Sequence, residues 1–202
     1  EGDLFRHIGV TCLETVAGFL AGTVLGTGIA ILLWWSDFAC RVLEPYLVVL
    51  NSLPKIALGP IFIIWIGPGP SAIIVMALAI SLIVTILEVL NGFLSADPEK
   101  IKLVQSFGAS RLQVFTKVVL PANIGSVINA LKVNVGLSWV GVIVGEFLVS
   151  RAGLGYLIVY GGQVFQLDLV MTSVIILAAA AAIMYQCVVW IEKKLVKNPR
   201  IY

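Results

Sequence analysis

The chain has 202 residues, of which 60% are hydrophobic and 12% charged, and its mean hydropathy is +1.06. Soluble domains carry about 25% charged residues, and a globule of this size cannot hide so much apolar surface from water. The composition therefore excludes an ordinary soluble protein and predicts a chain that lies mostly in lipid. The net charge of +2 gives no reason to expect nucleic acid as a partner.

Apolar segments of spanning length recur along the chain. A helix that crosses a bilayer needs about 20 mainly apolar residues, and five segments meet this requirement. They are residues 13–35, 43–66, 71–90, 122–149 and 169–191. The run 67–70, Gly-Pro-Gly-Pro, predicts a tight turn between the second and third segments. We therefore expect an all-α integral membrane protein with about five spanning helices.

The basic residues are distributed unequally between the two sides of these spans. Lysine and arginine accumulate on the cytoplasmic side of a bilayer. One side carries Arg6 and Arg151; the other carries Arg41, Lys100, Lys102, Arg111, Lys117, Lys193, Lys194, Lys197 and Arg200. This bias predicts that the N-terminus lies outside and the C-terminus in the cytoplasm of a multi-pass protein.

The first span contains glycines at four-residue spacing, Gly18, Gly22 and Gly26, with Gly28 off that stripe. Small residues on one face let another helix approach closely in lipid. The spacing predicts a tight helix contact, either within the chain or with a second copy of it.

The sequence contains no pattern typical of an active site. The three cysteines, Cys12, Cys40 and Cys187, lie far apart and are expected to be small buried residues. The single histidine, His7, excludes a multi-histidine metal site. No Gly-Lys-Ser/Thr phosphate loop and no nucleophile–base arrangement occurs. We expect no catalytic residue, no metal and no cofactor in this chain.

The loop between the third and fourth spans, residues 95–121, is patterned like two short helices. Asp97 and Pro98 favour the start of the first helix, and Gly108 its end. Ser110 and Gln113 have the spacing of a capping box that starts the second helix. Each helix carries apolar side chains on one face, and that face must be buried by a partner protein, the membrane surface or the chain's own spans.

The same loop resembles the EAA loop of ABC importer permeases. That motif has a glycine, and ten residues later Ile-X-Leu-Pro; here Gly108, Val118, Leu120 and Pro121 occupy the fixed positions. Residues 51–67, 131–146 and 151–157 resemble further segments of the family, so the resemblance covers nearly the whole chain. It is greatest to the branch that imports nitrate, taurine and alkanesulfonates, which also serves thiamine and riboflavin precursors.

One departure from the motif reverses a charge. The family's Glu-Ala-Ala falls on Lys102, Leu103 and Val104. A salt bridge made by the family's glutamate cannot be carried over to this chain.

The resemblance implies a type I ABC importer transmembrane domain in a bacterial inner membrane. Its partners would be a second copy, two cytoplasmic ATPase subunits that use ATP and magnesium, an external solute-binding protein, and lipid. The loop would dock in a groove of the ATPase, with Leu103, Phe107, Leu112 and Phe115 as candidates for an apolar knob. The residues assigned to coupling are Lys102, Leu103, Val104, Phe107, Gly108, Ala109, Ser110, Leu112, Phe115, Leu120 and Pro121.

Polar residues inside two spans are candidates for the solute pathway, because such residues usually face a bundle interior or a cavity. In the fourth span Lys132, Trp139 and Glu146 share a stripe with Gly136, and Asn134 and Ser138 adjoin it. In the second span a proline interrupts the helix. The residues concerned there are Asn51, Ser52, Pro54 and Lys55. Alternatively, Lys132 and Glu146 reach toward the headgroups, and Lys55 bonds neighbouring carbonyls at a structural kink.

The segment 153–156, together with Gly161 and Gly162, lies on the outer side between the last two spans. By resemblance it lies near the docking surface for the solute-binding protein, although a plain re-entrant turn fits the same residues. Two other functions remain open: a secondary transporter or channel that is not driven by ATP, and a membrane scaffold. If the chain is an ABC importer permease, the resemblance implies a small anion such as nitrate, taurine or an alkanesulfonate as the solute. The alternative solute is a thiamine or riboflavin precursor.

Overall fold

A computed structural model describes residues 3–195 and is helical throughout its regular structure. In chain order the helices are α1 (Leu4–Trp35), α2 (Asp37–Ser52), α3 (Gly59–Ile66), α4 (Pro70–Leu94), α5 (Pro98–Ser106), α6 (Arg111–Val114), α7 (Leu120–Ala122), α8 (Ile124–Val149), α9 (Leu154–Gln163) and α10 (Leu167–Leu195). A 3₁₀ turn, Lys55–Leu58, precedes α3, and a π-helical turn, Phe115–Val119, joins α6 to α7. The basic residues Lys197 and Arg200 lie outside the described residues.

Four helices, α1, α4, α8 and α10, are each long and apolar enough to cross a bilayer. The predicted span 43–66 is not one helix: α2 and the segment Lys55–Ile66 meet at an angle of 84°. Proline 54 has no backbone N–H to continue the helical bonds, so the chain leaves the helix at Leu53. The bent pair gives a fifth span if it is counted as one.

The core of the fold is the three-helix contact of α1, α4 and α8. The predicted glycine stripe of α1 packs within the chain, against Ala77, Ser81 and Thr85 of α4, as the atoms nearest to Gly18, Gly22 and Gly26 show. Gly28, off the stripe, has open space beside it. On α8, Gly141 and Gly145 lie against Ala77 and Ile73. Small residues therefore bring all three helices into close contact, as is typical of helices in lipid.

The two ends of this bundle differ in structure. At one end, the helix pair α5–α6 adjoins a cluster of large apolar side chains that includes Phe93, Val114 and Val119. At the other end, α9 connects α8 to α10 and packs on both. We call these the α5–α6 end and the α9 end. Along its length α10 is largely uncovered, and Cys187 on it is exposed, so the expectation of three buried cysteines is wrong for that residue.

Candidate functional site

The helix pair α5–α6 has a geometry fixed by its caps. The Asp97 carboxylate accepts a hydrogen bond from the Glu99 N–H at 2.9 Å and starts α5. Ser110 and Gln113 form the complete capping box that starts α6. Between the helices Gly108 has φ +82°, a conformation that favours glycine. Two short helices, α5 and α6, thus lie in the loop where the sequence predicts them, and the angle between them is set by local interactions.

Three of the four predicted knob residues are exposed. Leu103 and Leu112 are each 57% exposed and Phe107 is 82% exposed, while α5 itself contributes no buried residue to the core. Apolar side chains on a polar loop, held in place by two caps, form a surface that can be covered by another protein.

Phe115, the fourth predicted knob residue, lies in the core instead. It is 5% exposed and packs on Trp34, Trp35 and Phe93, with ring centroids 4.9 to 6.0 Å apart. Its π-helical turn adjoins the core cluster, so the helix face predicted to bind a partner is here the face that anchors α6. Assigning Phe115 to an exposed knob is therefore wrong.

The remaining predicted coupling residues surround the exposed surface or support it. Lys102, Gly108, Ser110 and Pro121 are exposed. Val104, Ala109 and Leu120 are half-buried, and the last two pack against the core cluster.

The bend between α2 and α3 exposes the polar residues of the second span. Asn51, Ser52 and Pro54 are exposed, whereas Lys55 is half-buried. The Lys55 ammonium donates to the Asn51 carbonyl oxygen at 2.9 Å and to its side-chain oxygen at 3.2 Å. This lysine therefore satisfies the carbonyl that the break frees, which is the structural alternative considered for it.

Most of the polar residues predicted on the fourth span are buried between helices of the same chain. Asn134 is fully buried and donates from Nδ2 to the Thr23 hydroxyl at 2.8 Å. Ser138 donates to the Asn134 side-chain oxygen at 3.3 Å. Trp139 is also buried, and its indole N–H has no partner among the described residues. Asn134 and Ser138 are covered by the chain's own helices and line no open pathway in this conformation, whereas Trp139 borders a cavity between α8 and α10.

Lys132 has a different environment from the rest of the stripe. Its ammonium lies 2.7 Å from the Glu192 carboxylate of α10, and both side chains are largely covered. It lies beside a cavity of about 450 Å³ between α8 and α10. The charge is thus neutralised inside the chain by a residue that the sequence pattern did not connect to it.

Glu146 belongs to a buried polar network at the α9 end. It is 1% exposed, accepts a hydrogen bond from the Thr11 hydroxyl at 2.7 Å and another from the Gly155 N–H at 2.6 Å. It therefore lines no open pathway here. Thr11 in turn accepts from the Leu154 N–H at 2.7 Å, and the His7 ring nitrogen Nδ1 accepts from the Gly153 N–H at 2.8 Å.

This network was not predicted from the sequence. His7, Thr11 and Glu14 occur on one stripe of α1, at positions i, i+4 and i+7, and are buried. That spacing is a signal that the first helix turns a polar face inward. Because α1 begins at Leu4, earlier than the predicted residue 13, these residues lie inside it.

A second residue missed by the sequence reasoning is Glu88 on α4. Its side chain is exposed, and within residues 3–195 it forms no salt bridge. Glu88 lies six residues from Leu82, the middle residue of α4, which is about 9 Å along the helix axis. A carboxylate at this depth is costly to expose to lipid.

The described part of the chain contains no group of three or more His, Cys, Asp or Glu residues placed to hold a metal ion.

A profile of the family described as "binding-protein-dependent transport system inner membrane component" matches residues 18–200. The chain belongs to this family of transport permeases. The permease is 31% identical over 188 residues to a protein named as an ABC transporter permease in Haemophilus influenzae, and the match covers 93% of this chain and 77% of the relative. The ABC importer permease class, the all-α fold and the spanning helices predicted from the sequence are thereby confirmed.

Two relatives carry names that include a solute. The permease is 31% identical over 198 residues to a Bacillus subtilis protein named as an aliphatic sulfonates transport permease, SsuC, covering 98% of this chain and 71% of the relative. It is 26% identical over 182 residues to the taurine transport system permease protein TauC of Escherichia coli, covering 90% and 66%. The chain thus spans 66% to 77% of the length of these relatives.

Among solved structures, the permease is similar to a chain of the methionine ABC transporter MetNI in its inward-facing conformations. The TM-scores are 0.83 and 0.79 in two crystal forms, each at 20% identity and with 96% of both chains covered. At this identity the likeness concerns the fold, which is that of a type I ABC importer transmembrane domain.

Proposed function

We propose that two copies of this permease form the solute pathway of an ATP-driven importer, and that the helix pair α5–α6 couples each copy to a separate ATPase subunit. The ATPase binds ATP and magnesium and performs the hydrolysis, and a solute-binding protein delivers the solute from outside. The observation that carries the proposal is the exposed apolar surface of Leu103, Phe107 and Leu112 on a capped, rigid helix pair.

The connection between the helix pair and the spans suits mechanical transmission. From Arg111 to Val149 the backbone stays helical, apart from a single turn residue at Asn123. The Asn123 N–H bonds to the Val119 and Leu120 carbonyls at 3.2 Å each, so the turn is continuous with the helices on both sides. A displacement of α6 would therefore move α8, the helix that packs on both α1 and α4.

The positive charge of Lys102 predicts which side chains can face it in the docking groove of the ATPase. An exposed ammonium stands where the family motif has a glutamate. The groove that receives this helix pair would then be apolar around Phe107, with an acidic or neutral side chain facing Lys102, because a like charge there would oppose docking. The distribution of lysine and arginine supports placing α5–α6 on the cytoplasmic side.

Exposed polar groups inside the spans support a pathway between two copies. Glu88 on α4 and the broken backbone at residues 51–54 are uncovered in the single chain. Lipid does not satisfy such groups, whereas a water-filled cavity or a second copy does. We therefore propose a homodimer whose pathway borders these residues, with Asn51 and Ser52 on its surface.

For the solute we propose a small anion of the sulfonate type, including taurine, or nitrate. The names of the relatives SsuC and TauC support this class. The second candidate is a pyrimidine precursor of thiamine, because the permease is also 28% identical over 156 residues to the formylaminopyrimidine transport permease protein ThiX of Halalkalibacterium halodurans.

The coupling proposal is tested by purifying the permease together with an ABC ATPase subunit co-expressed from the same organism. The double variant Phe107→Ala/Leu112→Ala should lose ATPase binding by tenfold or more, because it removes the apolar contact. Gln105→Ala, an exposed residue of the same loop, is the matched control and should bind normally.

Transport itself is measured as solute uptake into vesicles that contain the purified complex, with the solute-binding protein added on the outer side. Uptake should require ATP and should fall with ATPase binding in the double variant. Solute uptake by the permease alone, without ATPase or ATP, would instead support a channel or secondary transporter.

A further inference from the structure

Two carboxyl groups are buried side by side near the α9 end. Glu14 of α1 is 5% exposed and Glu146 of α8 is 1% exposed. Thr11, one turn before Glu14 on the same face of α1, donates to the Glu146 carboxylate at 2.7 Å, which brings the two carboxyl groups into one buried cluster. Neither forms a salt bridge with a lysine or arginine within residues 3–195. Two adjacent carboxylates cannot both stay ionised in such a site without a large free-energy cost. The question is which of the two keeps a proton.

Glu146 has the surroundings of the ionised member. Its two oxygens accept hydrogen bonds from the Thr11 hydroxyl and the Gly155 N–H. Gly155 is in the first turn of α9, and the residue before that helix, Gly153, has no side chain to cap it and a φ of +116°. Glu146 therefore caps α9 from a different helix, where the N–H groups and the helix dipole favour a negative charge.

Glu14 has the opposite surroundings. Its Oε2 atom has no hydrogen-bond partner among the described residues, although the side chain is almost fully buried. The donors around the start of α9 are already used: Thr11 and Gly155 donate to Glu146, and the N–H groups of Gly153 and Leu154 donate to His7 and Thr11. An anion at Glu14 would leave the buried Oε2 atom without a donor, which is strongly unfavourable.

We propose that Glu14 keeps its proton at neutral pH and donates it in a hydrogen bond to Glu146. The pair then carries one negative charge, held by the start of α9. Glu14 is thus a positioning residue that keeps Glu146 directed at Gly155, and through it fixes α9 against α1 and α8. A bound metal cation is the poorer occupant, because the cluster offers few oxygen ligands beyond the two carboxyl groups and Thr11, whereas hard cations require about six.

The proton is observed directly by infrared spectroscopy of the full-length permease in lipid nanodiscs. The wild type should show the carbonyl band of a protonated, buried carboxylic acid, and Glu14→Gln should abolish it. A band that persists in Glu14→Gln and disappears in Glu146→Gln would overturn the proposal, since it would place the proton on Glu146. Absence of the band from the wild type, or its loss on adding sodium or calcium ions, would also overturn it.

The positioning role is tested by hydrogen exchange at the Gly155 amide, which reports the contact with Glu146. Glu14→Gln keeps a donor toward Glu146, so its exchange rate should stay within about twofold of the wild type. Glu14→Ala removes the donor and should accelerate exchange tenfold or more at the start of α9. Equal exchange in Glu14→Gln and Glu14→Ala would contradict the role of the donated hydrogen bond. These measurements need no ATPase, so their outcome is independent of the coupling proposal.

Discussion

Arg111 of α6 donates a hydrogen bond from Nη2 to Oδ1 of Asp37, the first residue of α2, at 3.1 Å. The same guanidinium lies 5.7 Å from the centre of the Trp34 ring and bonds the Trp34 carbonyl oxygen at 3.4 Å. These contacts attach α6 to the turn between α1 and α2. The helix pair therefore has one attached helix, α6, and one projecting helix, α5, which places Leu103 and Phe107 away from the bundle.

The Arg111–Asp37 pair should contribute little to the free energy of unfolding, although it positions α6 against the start of α2. The two side chains are 48% and 72% exposed, and water screens the attraction between them. We expect a coupling energy of about 0.2–1 kcal/mol in a double-mutant cycle of Arg111→Ala and Asp37→Ala. Thermal unfolding of the four proteins in detergent measures it. A coupling energy several times larger would mean that the pair is desolvated, for instance by a second copy.

Substitutions of Phe107 and Phe115 should have different effects, one on ATPase binding and the other on the stability of the permease. Phe115 packs among Trp34, Trp35 and Phe93, so Phe115→Ala should lower the free energy of unfolding by about 3–5 kcal/mol. Phe107 is exposed, and Phe107→Ala should leave the thermal stability unchanged while weakening ATPase binding. Both properties are measured on the same purified samples. Equal thermal stability of the two variants would show that Phe115 does not anchor the loop.

The close approach of α1 to α4 predicts a steric effect at one glycine and not at another. A Cβ atom on Gly22 would lie 2.6 Å from the Ser81 hydroxyl, whereas one on Gly28 would meet nothing within 4 Å. Gly22→Val should therefore destabilise the protein by about 1–3 kcal/mol, and Gly28→Val should not. The melting temperatures of the two variants in the same detergent decide this, and a Gly28→Val protein as unstable as Gly22→Val would point to backbone effects instead.

Local patterns predicted much of the fold. The capping box of Ser110 and the terminating Gly108 depend on residues within a few positions, so the sequence reveals them directly. The glycine stripe of α1 predicted a close contact but not its partner. The matching small residues Ala77, Ser81 and Thr85 recur on α4 at the same four-residue spacing, and this second stripe identifies the partner once both are compared.

The polar residues of α8 could not be assigned by periodicity alone. A stripe shows which residues share a face, but not whether that face meets water or another helix. Asn134 and Glu146 meet Thr23 and Thr11 of α1, more than 100 residues earlier in the chain. Phe115 was assigned to the wrong environment for the same reason, since its covering residues come from α1 and α4. Contacts between distant segments decide such cases.

The Lys132–Glu192 ion pair should hold the C-terminal part of α10 against α8. The distance is 2.7 Å and both side chains are mostly covered, so removing one partner leaves the other charge poorly solvated. Lys132→Ala or Glu192→Ala should each cost about 2 kcal/mol, and the exchanged pair Lys132→Glu/Glu192→Lys should recover part of the loss. Thermal unfolding of the wild type and these three variants tests this. The exposed pair Arg6–Asp3 provides the control, because its exchange should have almost no effect. An exchanged pair less stable than either single variant would contradict a direct charge interaction.

Gly108 offers the sharpest test of the coupling geometry, because the space around it is open and only its backbone conformation is special. A Cβ atom there would meet nothing within 4 Å, but φ is +82°. A β-branched residue is strained in this conformation by about 1–2 kcal/mol or more, whereas asparagine adopts it readily. Gly108→Val should therefore abolish ATP-driven uptake, with membrane insertion and the amount of protein in the membrane intact, and Gly108→Asn should keep most of the uptake. Uptake assays in vesicles with equal permease content make the comparison. Normal uptake by Gly108→Val would mean that the angle between α5 and α6 is not needed to transmit the motion of the ATPase.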